Sequence, residues 1–195
     1  MINQDFVIVG ALFQALCCFS YLMGTLKGKT QPNRVSWLLW SVAPGIAFFA
    51  QISQGVGLSA LITFMVGFCP AVIFIASFFN KKAVWKLSRF DYFCGAMAVL
   101  AIILWQVTKV GNIAIMFSIL ADFFAAVPTI VKPYRHPETE DYRVYLGSII
   151  SGIITLLALQ DWWFQYYGFA LYIICQNTLL SSLIVLRPRL QEETV

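Results

Sequence analysis

Seven stretches of this chain are apolar, close to membrane-crossing length and almost free of charge: residues 6–26, 35–52, 58–79, 92–108, 113–131, 142–159 and 162–186. A helix needs about 20 residues to cross the hydrocarbon core of a bilayer. Seven crossings use up most of a 195-residue chain and leave only short loops. The expected fold is therefore all-α and integral to a membrane, with no room for a soluble domain. Only 11% of the residues are charged, against about 25% in soluble domains, which argues against a water-soluble fold. Apolar residues make up 60% of the chain, which excludes disorder. The net charge of +4 forms no basic stripe clear of apolar sequence, so no nucleic-acid partner is expected. Residues 1–5 carry no Lys or Arg and the first stretch is of full spanning length, so it reads as a first crossing and not as a cleaved signal.

The loops give an orientation. Lys27, Lys29 and Arg34 lie after the first stretch, and Lys81, Lys82, Lys86 and Arg89 after the third. Lys132, Arg135 and Arg143 follow the fifth, and Arg187 and Arg189 the seventh. Twelve basic residues thus share one side, and only Lys109 falls on the other. The positive-inside rule places the N-terminus outside and the C-terminus in the cytoplasm, in a plasma or inner membrane. Trp162 and Trp163 would then belong to an outer aromatic belt, and Trp37 and Trp85 to an inner one.

A weak internal repeat appears on shifting the chain by 105 residues: Phe19 falls on Phe124, Lys27 on Lys132, Pro32 on Pro137, Trp37 on Tyr142 and Trp40 on Tyr145. Each copy reads as a helix, a basic exit, a proline five residues after the lysine, then two aromatics three apart. Two three-helix units of this kind run parallel only if one further span returns the chain to the starting side. The stretch 92–108 would be that inverter. The organisation is then 1–80 for the first three-helix bundle, 81–110 for the inverter with its loops, and 111–195 for the second bundle with a short tail.

This 3-1-3 pattern resembles that of the SWEET sugar transporters and the related PQ-loop proteins. The closest local match is Pro128, Ile130, Val131, Lys132, Tyr134 and Arg135, followed by a polar turn with Glu138 and Glu140. Thr129 stands where the motif carries glutamine, and Met23 where the first copy would carry proline. The resemblance covers the whole chain in topology and about fifteen residues in motif. It implies a carrier for a sugar or similar polar metabolite. It also implies that Asn177, on the third helix of the second unit, lines the pocket.

The polar residues inside the stretches point the same way. Asp122 is the only ionisable acid or base well inside one. A central Asp costs about 2.5–3.5 kcal/mol to insert, so it must face protein or a wet cavity, or be protonated. It is either a substrate or proton-coupling carboxylate or a neutral acid that fixes packing. Gln14, Gln176 and Asn177 lie at similar depth and would join Asp122 in substrate binding near the midplane, the alternative being hydrogen bonds that glue helices. Trp40 and Tyr145 are candidates for an inner gate. Pro44, Pro70 and Pro128 each remove a backbone bond inside a span, and Pro44 and Pro128 are candidate hinges. Gly147, Ser148, Ser151 and Gly152 read as a close helix contact. The five cysteines, Cys17, Cys18, Cys69, Cys94 and Cys175, lack metal-ligand spacing and read as packing residues.

Enzymatic readings find little support. His136 is the only histidine, which excludes a histidine-rich metal site. The cluster Arg135, His136, Glu138, Glu140 and Asp141 reads as a solvated loop balancing its own charge. A retinal receptor would need a lysine in 162–186, which has none. No Gly-x-x-x-x-Gly-Lys is present, so no ATP site is expected. The expectation is a cofactor-free carrier for a small polar solute, working by alternating access, downhill or coupled to protons through Asp122. The alternatives are a receptor or sorting protein of the same fold and a lipid-modifying membrane enzyme. Oligomeric state stays open, a homo-oligomer included.

Overall fold

The apolar stretches become helices, three of them with an internal proline, because charges and most turn formers sit between them and side chains cap the exposed amides where several of them begin. In the computed structural model, which describes residues 2–53, 57–108, 111–160 and 162–192, the described residues form seven α-helices. These are α1 (Phe6–Leu26), α2 (Arg34–Ser53), α3 (Ala60–Ala76), α4 (Arg89–Thr108), α5 (Gly111–Arg135), α6 (Tyr142–Ala158) and α7 (Phe164–Glu192). Short 3-10 turns cover Gly57–Ser59 and Pro137–Thr139. Lys109, the single basic residue expected on the outer side, lies outside the described residues.

Capping explains where three helices start. Asn33 Oδ1 accepts from the amides of Val35 (3.1 Å) and Ser36 (3.4 Å) ahead of α2. Asp141 Oδ1 accepts from the Arg143 amide at 3.0 Å ahead of α6. Before α4, Ser88 and Asp91 satisfy each other's amides, at 2.5 and 3.3 Å, a capping-box arrangement. Gly28, with φ of 70°, turns the chain between α1 and α2 in the left-handed region that glycine adopts without strain.

Several boundaries shift by a few residues: the third helix is shorter than expected, ending at Ala76, the fourth begins earlier, at Arg89, and two helices run on past their expected ends. The fifth helix runs on past Val131 to Arg135, through Pro133, because Lys132 is buried and bonded instead of opening a solvated loop. The seventh runs on to Glu192, which makes Arg187 and Arg189 helical instead of part of an irregular tail.

In the packing, α3 lies against both α1 and α2, and α7 against both α5 and α6. In turn, α1 packs along α6 and α2 along α5, while α4 packs mainly on α5 and also meets α2. Small residues allow these approaches. A Cβ built on Gly147 would lie 2.7 Å from Cys17 Cβ on α1, and one on Gly152 would lie 2.8 Å from Ile174 Cγ1 on α7. Gly67 faces the backbone of α2, 3.1 Å from the Gly45 amide nitrogen.

The interior holds Tyr21, Trp37, Trp40, Ile73, Tyr145 and Leu180. The exterior is apolar as well: Leu12, Leu16 and Phe19 of α1, Ile75 of α3, and Phe93 and Ile103 of α4 are exposed. Two helical segments, Phe6–Leu26 and Tyr166–Leu186, are long and apolar enough to cross a membrane. Trp162 and Trp163 are exposed, whereas Trp37 is 2% exposed and its ring lies 4.7 Å from that of Tyr21, tilted by 42°. Trp37 is thus a core residue and not part of a belt. Trp85 likewise leans inward, its ring 5.0 Å from Lys132 Nζ and 5.7 Å from the His136 ring.

Candidate functional site

Side chains from six helices surround one cleft of about 440 Å³, counting the space at its mouth. Gln14 comes from α1, Trp37 and Trp40 from α2, and Val66, Cys69 and Pro70 from α3. Asp122 comes from α5, Val144, Tyr145 and Ser148 from α6, and Ile173, Gln176 and Asn177 from α7. Every polar residue expected to bind substrate, namely Gln14, Asp122, Gln176 and Asn177, lines this one cleft, as do the expected gate aromatics Trp40 and Tyr145. The candidate hinges stand apart. Pro44 and Pro128 are buried within α2 and α5 and lie outside the lining.

Asp122 is 3% exposed, and among the described residues it forms no ion pair. Tyr172 Oη donates to its Oδ2 at 2.9 Å, and Gln176 is a further hydrogen-bonding neighbour of the carboxyl. Trp40 Nε1 donates to the Asp122 carbonyl at 3.4 Å, holding the indole against α5. Gln14 Nε2 donates to Ser148 Oγ at 3.3 Å, and Ser148 Oγ donates to the Val144 carbonyl at 3.3 Å. Asn177 Nδ2 donates to Ile173 O at 2.8 Å on its own helix.

Trp37, Trp40 and Tyr145, from the first two turns of α2 and α6, form an aromatic layer along the cleft on the side of the basic loops. The expected pair, Trp40 with Tyr145, is bridged by a third ring: Trp37 meets Trp40 edge-on at 5.5 Å and Tyr145 at 6.5 Å. Beneath this layer sits a buried polar cluster. Glu140 Oε2 accepts from the hydroxyls of Tyr21 and Tyr145, each at 2.8 Å. Its Oε1 lies 2.5 Å from Lys132 Nζ, with both side chains sealed from solvent. Lys132 Nζ also donates to the Gln31 carbonyl, and the Gln31 amide donates to the Thr139 carbonyl at 2.9 Å. Burial pushes the Lys132 ammonium below its ordinary range, against the pull of Glu140. The expectation of a solvated, self-balancing loop is therefore corrected for Glu140, which ties α1, α5 and α6 together. It does describe the exposed His136 and Glu138, whose side chains are 3.3 Å apart. Asp141 is engaged too, accepting from Ser20 Oγ at 2.7 Å.

Tyr172, Trp37 and the Lys132–Glu140 pair were missed at the level of sequence. Tyr172 had a signal: it lies four residues before Gln176 and so shares its helix face. The Glu140 cluster had little, since Tyr145 is five residues on but Tyr21 comes from a helix 119 residues away. Among the described residues, no group of three or more His, Cys, Asp or Glu side chains is arranged to hold a metal ion. No known family model, characterised protein or solved structure matches this chain.

Proposed function

We propose that the chain is a small-solute carrier that crosses a plasma or inner membrane seven times, N-terminus outside and C-terminus in the cytoplasm, with a 3-1-3 build like that of the SWEET and PQ-loop proteins. The observation that carries this reading is the cleft. Asp122, Gln14, Gln176 and Asn177 converge between two groups of helices in a molecule whose outside is apolar. Single polar side chains buried in hydrocarbon are costly, and a shared wet chamber removes that cost. The packing supports the two-unit build. Exchanging α1, α2 and α3 for α5, α6 and α7 maps the α1–α6 contact onto α5–α2, and each third helix sits between the other two of its unit.

Alternating access follows from the same parts. The aromatic layer and the Lys132–Glu140 cluster form the closed cytoplasmic gate, and the cleft faces outward. Opening inward separates Tyr21 and the Gln31 turn from α5 and α6, with Pro44 and Pro128 as hinges where a backbone hydrogen bond is missing. Asp122 supplies the site for a coupling proton. Uptake into liposomes holding the full chain tests this, using labelled amines, sugars, nucleosides and amino acids. Saturable uptake of at least one class, weakened in Asp122→Asn, is expected. Uptake of every class at the level of empty vesicles contradicts the carrier reading. An unchanged response of Asp122→Asn to a pH gradient removes the coupling role.

A further inference from the structure

We infer that the ligand of this cleft is a small organic cation, a protonated amine bearing a hydrogen-bond acceptor, and not a neutral polyol. The inference rests on the carrier reading and adds the class of its substrate. It follows from the unmatched groups in the lining. Gln14 Oε1 and Gln176 Oε1 are buried without a hydrogen-bond partner, and their residues are 2% and 8% exposed. Both are acceptors, and an unpaired buried acceptor carries a desolvation penalty that a donor removes.

The orientation of each amide is determined by its neighbours. Ser148 Oγ gives its hydrogen to the Val144 carbonyl, so it can only accept from Gln14, and Gln14 must present Nε2 to it and Oε1 elsewhere. Gln176 neighbours the Asp122 carboxyl and leaves its own Oε1 without a partner, so its Nε2 is the atom turned toward Asp122. The carboxylate itself has no counter-ion among the described residues. The nearest basic residue along α5, Lys132, stands ten residues on, about 15 Å at the rise of a helix, and is bound to Glu140.

Gln14, Trp40, Asn177 and Tyr172 each give one hydrogen to a protein oxygen. Trp37 Nε1 is buried with no partner, which matches one acceptor on the ligand. The walls are the rings of Trp37, Trp40 and Tyr145, surfaces on which a desolvated cation gains from the ring quadrupole. A sugar hydroxyl needs donors and acceptors in comparable number; this lining offers two unmatched acceptors against one unmatched donor, beside a carboxyl that has no basic partner among the described residues.

The test uses three molecules of one shape with the full chain in lipid nanodiscs: tyramine, its neutral alcohol 4-(2-hydroxyethyl)phenol, and 4-hydroxyphenylacetate. Binding is read from Trp fluorescence and by calorimetry. Tyramine is expected to bind about tenfold more tightly than the alcohol, with the acid weakest. Asp122→Asn should abolish that order, and Gln14→Leu, which leaves the carboxylate in place, should weaken tyramine severalfold. Equal binding of amine and alcohol, no binding of the amine, or an order that survives Asp122→Asn in a folded variant overturns the inference. Saturable uptake of a labelled sugar that excess tyramine does not inhibit would overturn the cation while leaving the carrier; no binding and no uptake would remove both.

Discussion

Lys132 Nζ lies 2.5 Å from Glu140 Oε1, and neither side chain reaches solvent. The pair joins the end of α5 to the start of α6, and through Gln31 and Tyr21 it holds the α1–α2 region in place. Removing one partner of a buried pair leaves an uncompensated charge, at about 3–5 kcal/mol. Lys132→Met and Glu140→Leu should each destabilise the fold by about that amount, and the double variant by clearly less than the sum. Denaturant unfolding in micelles measures all three. Additive losses would mean the pair does not act as a unit.

Tyr21 and Tyr145 both donate to Glu140 Oε2 at 2.8 Å. A hydrogen bond to a charged group is worth about 1.5–3 kcal/mol, so Tyr21→Phe and Tyr145→Phe should each cost about that much. Because the two hydroxyls share one oxygen, the double variant should deviate from additivity. Thermal melts of the four proteins decide this. A Tyr21→Phe protein as stable as wild type would show that the carboxylate does not need that donor.

The α1–α6 contact yields a compensating pair. A Cβ on Gly147 would stand 2.7 Å from Cys17 Cβ, an atom that cannot swing away. Gly147→Ala should cost about 1–3 kcal/mol as overpacking. Adding Cys17→Gly removes the opposing atom, and stability should return in part, less about 0.5–1 kcal/mol for a glycine inside a helix. A Gly147→Ala variant with an unchanged melt would place the two helices further apart than a 2.7 Å approach implies.

Much of the cleft was legible because burying a polar group in apolar sequence is expensive. Asp122, Gln14, Gln176 and Asn177 stood out for that reason, and they line one space. Helix positions were legible from where charge interrupts the apolar stretches; α1 falls on 6–26 as expected. What failed was the rule that charge near a helix end is solvated. Lys132 and Glu140 are eight residues apart with no local pattern linking them, and their burial depends on Tyr21 arriving from α1. Trp37 failed for a related reason. A tryptophan near a helix end suits a membrane interface or a core equally, and only the ring of Tyr21 at 4.7 Å decides between them.

The most direct test asks whether water reaches the polar residues from one side only. In a background with all five cysteines replaced, single cysteines go in at Gln176, at Asn177 and at the fully buried Leu180. Intact cells are then treated with a charged thiol reagent that cannot cross the membrane. The expected result is labelling at positions 176 and 177 from outside, none at 180, and protection by any solute the protein carries. Absence of labelling at 176 and 177 in folded protein, from both faces of the membrane, would mean that Asp122 and its neighbours sit in a dry packed core and that there is no chamber for a solute to enter.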